Sequence, residues 1–427
     1  MRKIYLLTGI CLLLLSGNQV FGQLTLSAEL RPRFEMRNGY GNLANDTTDP
    51  IYIISQRTRL KAVYTHKVFG IGVCIQDARV WGSDDVFTST GTAGNTASLN
   101  LSEGWLDLYI TPSLTVRAGR QFLAYDDERL FSTRNWGQAA LTYDAVVLKY
   151  DREKKWDLDL GGSWNNSLDK SYFNEQYTSD KIKMIGFLHF HKPLLDKTLN
   201  VSVMAAAIGY TKANNYRIIY TRGTYGVNLD YKKNDLKLRG TVYYQNGTNK
   251  TGKPVQAYCF SVVGAYTFDK FTVGPGIDYI SGQDSWNETG SYVDKDHLFD
   301  LFYGMRHSYY GLMDIFTNIP KSTDNGGLMD IYLNTRLKIA EKHNLQLDYH
   351  YFSLAQNVKA DPDKPLGSEV DFLYRWTVNE FLSCDLGYSF MKPTETMAVI
   401  NDIGGHAKDF SHWAYLMITL KPTLLKM

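Results

Sequence analysis

The chain has 427 residues and a formal charge of +2, so no overall charge bias selects a partner and no nucleic-acid partner is expected. Glycine (35) and tyrosine (30) are abundant, and mean hydropathy is slightly negative. The only long apolar run is N-terminal, which excludes a helical membrane protein; an outer-membrane barrel has this profile because only alternate strand residues meet lipid.

Arg2 and Lys3 precede the apolar run Ile4–Leu15, and Val20-Phe21-Gly22 closes the segment on a small residue. This is the pattern of a signal peptide over 1–22, with a single mature barrel over 23–427. Cys11 lies inside the apolar run with leucines after it, so no lipoprotein site is expected there.

Leu24–Arg37 sets the pattern for the rest of the chain. Leu24, Leu26, Ala28, Leu30, Phe34 and Met36 share one parity; Glu29, Arg31, Arg33, Glu35 and Arg37 share the other. Alternate strand residues point to opposite faces, so one face is greasy and the other charged. Pro32 interrupts the apolar parity and cannot donate to a ladder. The next strand, Ile53–Thr65, carries Arg57, Arg59 and Lys61 on one face. Phe69–Trp81, Leu99–Thr111, Leu114–Leu123, Leu141–Tyr150 and Trp156–Trp164 come after it. Lys183–Lys192, Leu199–Gly209, Ile218–Lys232, Leu236–Gln245, Gln256–Phe268 and Phe271–Ile280 continue the series. Leu328–Ala340, Asn344–Phe352, Glu369–Val378, Leu382–Met391 and His412–Lys421 close it. The reading is an all-β, transmembrane antiparallel barrel of about eighteen strands in the outer membrane of a Gram-negative bacterium.

The connections alternate as well. Short turns at His66-Lys67, Pro112-Ser113, Asp269-Lys270 and Asn379-Glu380 trade places with longer loops such as Asn38–Tyr52, Tyr125–Ala140 and Gly282–Gly327. Tyr210–Arg217 is the shortest of the long set. Short periplasmic turns and long external loops are the expected asymmetry, with both termini in the periplasm. The insertion Gly282–Gly327 is too long for a passive turn and is expected to fold into the lumen or cap it.

Several stretches resemble the alginate export family in its Bacteroidetes-type form. They are Arg57-Thr58-Arg59-Leu60, Gln76-Asp77-Ala78-Arg79-Val80-Trp81-Gly82, Gly119-Arg120-Gln121 and Tyr125-Asp126-Asp127-Glu128-Arg129-Leu130. Asn135-Trp136, Asp144–Tyr150, Leu301-Phe302-Tyr303-Gly304, Asp348–Phe352 and Leu416–Pro422 extend the likeness over nearly the whole mature chain. The resemblance implies an outer-membrane barrel, and the family's founding member is a polyuronate exporter with an arginine-rich lumen. It also implies periplasmic secretion partners for dedicated exporters.

A pore for an anionic oligo- or polysaccharide needs lumen cations, because rings of Arg and Lys confer anion selectivity and Arg grips carboxylates bidentately. The candidates along the substrate path are Arg31, Arg33, Arg57, Arg59, Arg79, Arg117, Arg120, Arg129, Arg239, Arg336 and Arg375, with Asp126 and Asp127 among the acids that space them. The competing reading of each arginine is an ion pair that stiffens the wall. Asp126-Asp127-Glu128 as a glycosidase carboxylate pair is set aside in favour of a loop or arginine partner. No CxxC or EF-hand pattern occurs, so no cofactor, metal or catalytic residue is assigned. The alternatives to an anion channel are a general diffusion porin, a barrel hydrolase built on His307-Ser308, and a closed structural barrel.

Overall fold

The computed structural model describes residues 22–84, 92–93, 98–153, 155–166, 181–361 and 363–427. The proposed signal peptide falls, up to residue 21, outside the described residues.

The barrel strands are β1 (Gly22–Asn38), β2 (Ile51–His66), β3 (Phe69–Val80), β4 (Ser98–Thr111), β5 (Leu114–Gln121) and β6 (Tyr143–Asp151). They continue as β7 (Asp157–Trp164), β8 (Ile182–Leu194), β9 (Leu199–Lys212), β10 (Asn215–Lys233), β11 (Leu236–Gly247) and β12 (Ala257–Phe268). The last are β13 (Phe271–Ile280), β14 (Leu328–Ala340), β15 (His343–Leu354), β16 (Pro365–Thr377), β17 (Leu382–Pro393) and β18 (Ser411–Leu420). A short continuation of β18, Thr423–Lys426, comes after Pro422, so the 19 hydrogen-bonded segments form a closed 18-strand antiparallel barrel. Each strand pairs with its neighbour in sequence. The ring is closed by β1, which meets β2 from Gly22↔His66 to Arg37↔Ile51 and meets β18 from Asn38↔His412 to Leu30↔Leu420.

Pro32 fits this closure. On the β18 side the paired residues step from Leu30↔Leu420 to Arg33↔Met417, and the proline, which has no N–H, falls in that gap.

The distribution of side chains is inverted relative to a water-soluble fold. Leu30, Phe34, Ile71, Val73, Ile75, Leu106, Leu108, Val242 and Val262 are exposed on the outside. Glu29, Arg31, Glu35, Gln76, Asp107, Thr241, Ser261, Asp278 and Asp330 are buried on the inside. Such an outer band is stable only where lipid covers it. Among the described residues no helix is long and apolar enough to cross a membrane; the strands make the crossing.

The turns are short at one end, for example residues 112–113, 234–235 and 269–270, and long at the other, where 39–50, 122–142, 281–327 and 394–410 lie. The stretch Tyr210–Arg217, expected as an external loop, is instead the tip of a β9–β10 hairpin. Its ladder runs on to Lys212↔Asn215, leaving only Ala213 and Asn214, and Asn214 takes the left-handed conformation (φ +63°) that asparagine tolerates in tight turns.

Val242 lies mid-strand on the outer face and is 59% exposed. Val242→Arg is expected to cost about 2–4 kcal/mol in urea unfolding from lipid vesicles, as for a cation at the bilayer midplane; an unchanged midpoint would argue that this face is not in lipid.

Candidate functional site

Two external loops turn inward and meet in the lumen. The first, residues 122–142, leaves β5 and crosses the barrel as a bar. At one end Asp126 accepts from Asn228 of β10 (2.9 Å) and lies 3.0 Å from His189 of β8. Arg129 then reaches β12 and β13, donating to Ser261 Oγ (3.0 Å) and pairing with Asp278 (2.8 Å) while holding Asp127 (2.8 Å). Its guanidinium lies 3.9 Å from the centre of the Tyr309 ring, a cation–π contact from the second loop. Burial opposes the charge of Arg129, yet Asp278, Tyr310 and Asp127 together hold its pKa well above the ordinary value.

The far end of the bar rests on the opposite wall. Arg31 donates to the carbonyls of Asn135 (2.9 Å), Trp136 (2.9 Å) and Gly137 (3.0 Å). Arg57 donates to Asn135 Oδ1 (2.9 Å) and Gly137 O (3.2 Å), and Arg59 and Gln76 to Ala139 O (3.4 and 2.8 Å). Arg33 lies 4.4 Å from the Trp136 ring centre. Loop carbonyls cannot find backbone partners as strands do, and a fork of N–H donors satisfies several at once. Glu29 and Glu35 lie between these arginines and pair with Arg57 and with Arg33 and Arg37.

The second loop, residues 281–327, joins the bar through a bridge between Phe131 and Tyr303. Arg134 donates to Phe302 O (3.0 Å), and Met305 N–H donates to Glu128 O (2.8 Å). On the far wall, Glu369 of β16 accepts from Met313 N–H (2.7 Å), and Gly311 (φ +82°) lies where a Cβ would sit 2.5 Å from the Glu369 carboxyl. The only conformation and space that suit this position are those of glycine. His307 lies 2.8 Å from Asp314 and stacks on Trp136 with ring centres 4.0 Å apart.

On the short-turn side of the bar the lumen opens into two connected cavities of about 770 and 390 Å³ that share Asp127 and Arg239. The barrel wall carries cross-strand ion pairs: Lys149–Asp159 (2.9 Å), Arg239–Asp230, Arg336–Asp348 (2.6 Å) and Arg375–Asp385 (2.7 Å) at these cavities, and Lys61–Glu103 (2.7 Å) and Arg117–Asp107 (2.6 Å) elsewhere on the inner face. Most members face each other directly in the ladder, as Asp107↔Arg117 and Arg375↔Asp385 do, where opposite charges stabilise a sheet.

The alginate export family model matches residues 22–402. The chain belongs to the alginate export family. No curated protein sequence matches it significantly. Among solved structures this family member is similar to a BenF-like porin from Pseudomonas fluorescens Pf-5 (TM-score 0.65, 13% identity, 94% of this chain and 99% of that one). It is also similar to OpdF of Pseudomonas aeruginosa in complex with glucuronate (TM-score 0.61, 13% identity, 94% and 97% covered) and to OpdK of Pseudomonas aeruginosa with vanillate (TM-score 0.60, 11% identity, 93% and 98% covered). The protein is an outer-membrane channel of porin architecture.

Two of the expected lumen arginines point the other way. Arg79 pairs on the outer face with Asp77 (2.6 Å), opposite Gln56 rather than the inward Arg57. Arg120 pairs with Asp144 (2.8 Å), a residue 60% exposed on the outer face. The reason is strand parity. Arg117 faces in, the register runs unshifted from Tyr109 to Gly104, and a residue three positions on must face out. Sequence reasoning places neither Trp136, whose backbone receives Arg31, nor Asp278, which anchors Arg129, among the lumen residues. Their alternating strand or loop context gives no signal for a contact across the lumen.

Removing Arg57 leaves Glu29 buried without its main partner. Arg57→Ala is expected to destabilise the barrel by about 3–5 kcal/mol and to raise protease cleavage within 133–140 on intact barrels. Wild-type resistance in that segment would show that the wall arginines do not hold the bar.

Proposed function

We propose that the channel passes anionic sugar acids, from single uronates to polyuronate strands, guided by the arginines on the periplasmic side of the bar. One asymmetry within the ion pairs carries this reading. In Arg336–Asp348 the cation is 45% exposed and the acid 7%; in Arg375–Asp385 the values are 52% and 5%. Lys61–Glu103 and Arg117–Asp107 have the same sense. At the smaller cavity the carboxylates of the Arg336 and Arg375 pairs lie back against the wall while the cations project, so a solute meets positive charge there although the pairs are neutral as a whole. Arg239 and Asp230 are about equally exposed. The guanidinium keeps donors free to take a passing carboxylate, and its wall partner takes it back when the solute moves on.

In this reading Arg336 and Arg375 form the path, with Arg239 where the two cavities share a wall and Arg117 on the inner face beyond them. Arg31, Arg33, Arg57, Arg59 and Arg129, with Asp126 and Asp127, fix the bar that sets its width. The glucuronate complex of the similar barrel OpdF is in keeping with a sugar acid as the solute. A polyuronate cargo would be handed over by periplasmic secretion partners at the short-turn face.

The test is ion selectivity in planar bilayers under a salt gradient, with oligomannuronate added afterwards. Anion preference with oligomer block is expected, and the joint variant Arg336→Gln, Arg375→Gln should move the reversal potential toward zero and weaken the block by about tenfold. Weak selectivity without block would leave a general diffusion porin, and cation preference would overturn the reading.

A further inference from the structure

Most cations in the lumen have a carboxylate. Besides Arg31, which is spent on the carbonyls of the bar, two exceptions lie on the long-loop side, where the two inward loops join. Arg134, from the bar, and Arg306, from the insertion, converge on one backbone oxygen: both donate to Phe302 O, at 3.0 and 3.3 Å. Arg134 spends its remaining described bonds on the carbonyls of Tyr303 and Gly304 (both 3.2 Å). Among the described residues neither forms an ion pair, and the buried Nε of Arg306 has no partner. Burial holds both guanidiniums below their ordinary pKa, and the charge of Arg134 adds to the depression at Arg306. Asp300 offsets only part of this at each of them, and a buried donor without an acceptor adds to the cost.

Arg306 stands between two cavities. One, of about 240 Å³, also touches Arg33, Arg134 and His307. The other, of about 520 Å³, opens among the long loops and is lined by Lys250, Lys253, Asn249, Asn318, Asn325 and Tyr210 as well as Arg306. Of its two carboxylates, Asp296 takes Arg222 (2.8 Å) and Asn249 (2.9 Å), while Asp300 accepts from Phe302 N–H (2.8 Å) and acts electrostatically on Arg134 and Arg306. Lys250 and Lys253 make no ion pair among the described residues. The larger cavity is of the size that holds small ligands, about 300–1,000 Å³. Its lining combines cations, side-chain amides and the aromatic rings of Tyr210 and Phe299. Cations suit a carboxylate, amides suit the paired donor and acceptor character of sugar hydroxyls, and the rings suit a sugar's C–H face.

We propose that this extracellular cavity is a second binding site, in which Arg306 receives the carboxylate of an acidic saccharide and Lys250, Lys253 and the amides hold the adjoining ring. A carboxylate bound there gives Arg306 a further acceptor and ties the insertion to the turn that carries Lys250 and Lys253. The ligand class rests on the sugar-acid reading of the pore, but the site lies across the bar from the periplasmic cations and does not depend on their selectivity.

Calorimetry on the full barrel in detergent micelles tests this with a trimeric oligouronate, maltotriose and inorganic phosphate as probes. The oligouronate should bind, maltotriose at least about tenfold more weakly, and Arg306→Gln should lose about tenfold in oligouronate affinity. The double variant Lys250→Ala, Lys253→Ala, on an exposed turn that no strand pairing needs, should also weaken it and guards against a loop that merely misfolds without Arg306. Equal affinity for the neutral sugar, phosphate binding as tight as the oligouronate, or wild-type affinity in both variants would overturn the site. A channel without anion selectivity that still binds the oligouronate here would fail the transport reading and leave this one standing.

Discussion

The structure depends on one constraint: inside a bilayer every backbone N–H and C=O must find its partner in the protein. A sheet can satisfy this only by closing, and closure here rests on β1. That strand carries two ladders at once, to β2 and to β18, and the one residue in it without a donor sits where the second ladder pauses. Once the ring is closed, geometry dictates side-chain chemistry. Outward positions meet hydrocarbon and are apolar. Inward positions meet water or each other and are free to be charged.

Inside the ring the arginines do two different jobs, and burial separates them. Arg31, Arg33, Arg57 and Arg129 are buried and act as multi-pronged donors to loop carbonyls and wall carboxylates. Arg336 and Arg375 keep their heads in open space while their carboxylates recede. The same side chain thus serves as mortar in one sector and as surface in another. A buried, fully engaged guanidinium stays charged because acids and carbonyls surround it; a half-exposed one can exchange its partner for a passing anion.

Strand parity makes the ring legible from the sequence. The eighteen strands, the alternation of short and long connections and the inward side of β1, β2, β11, β14 and β16 all derive from a period of two and from where the turn residues fall. The errors have the same physical root. Arg79 and Arg120 group with inward neighbours because they stand in family-like blocks, although their parity places them outside. The β9–β10 tip reads as a loop because polar residues on a strand that rises out of the membrane no longer alternate against lipid. What sequence cannot display is contact across the lumen. Nothing about Asn135–Ala139 says that its carbonyls will lie against Arg31 and Arg57, a hundred or so residues earlier and on another wall, because loop carbonyls are the same for every residue type. The Asp126–Arg129 block is visible in the sequence as a family signature; its physical meaning, a bar anchored to both walls, emerges only in three dimensions.

The anchors of that bar carry an implication for assembly. They lie on β1 to β3 at one end of the chain and on β8 to β13 further along, and its companion loop is tied to β16. The bar spans walls that come to face one another as the ring curves shut. Contacts so distant along the chain are made late. On that ordering the ring would stand wider before the bar docks than after it. A cell placing this protein in its envelope must tolerate, until the bar docks, an opening wider than the finished one.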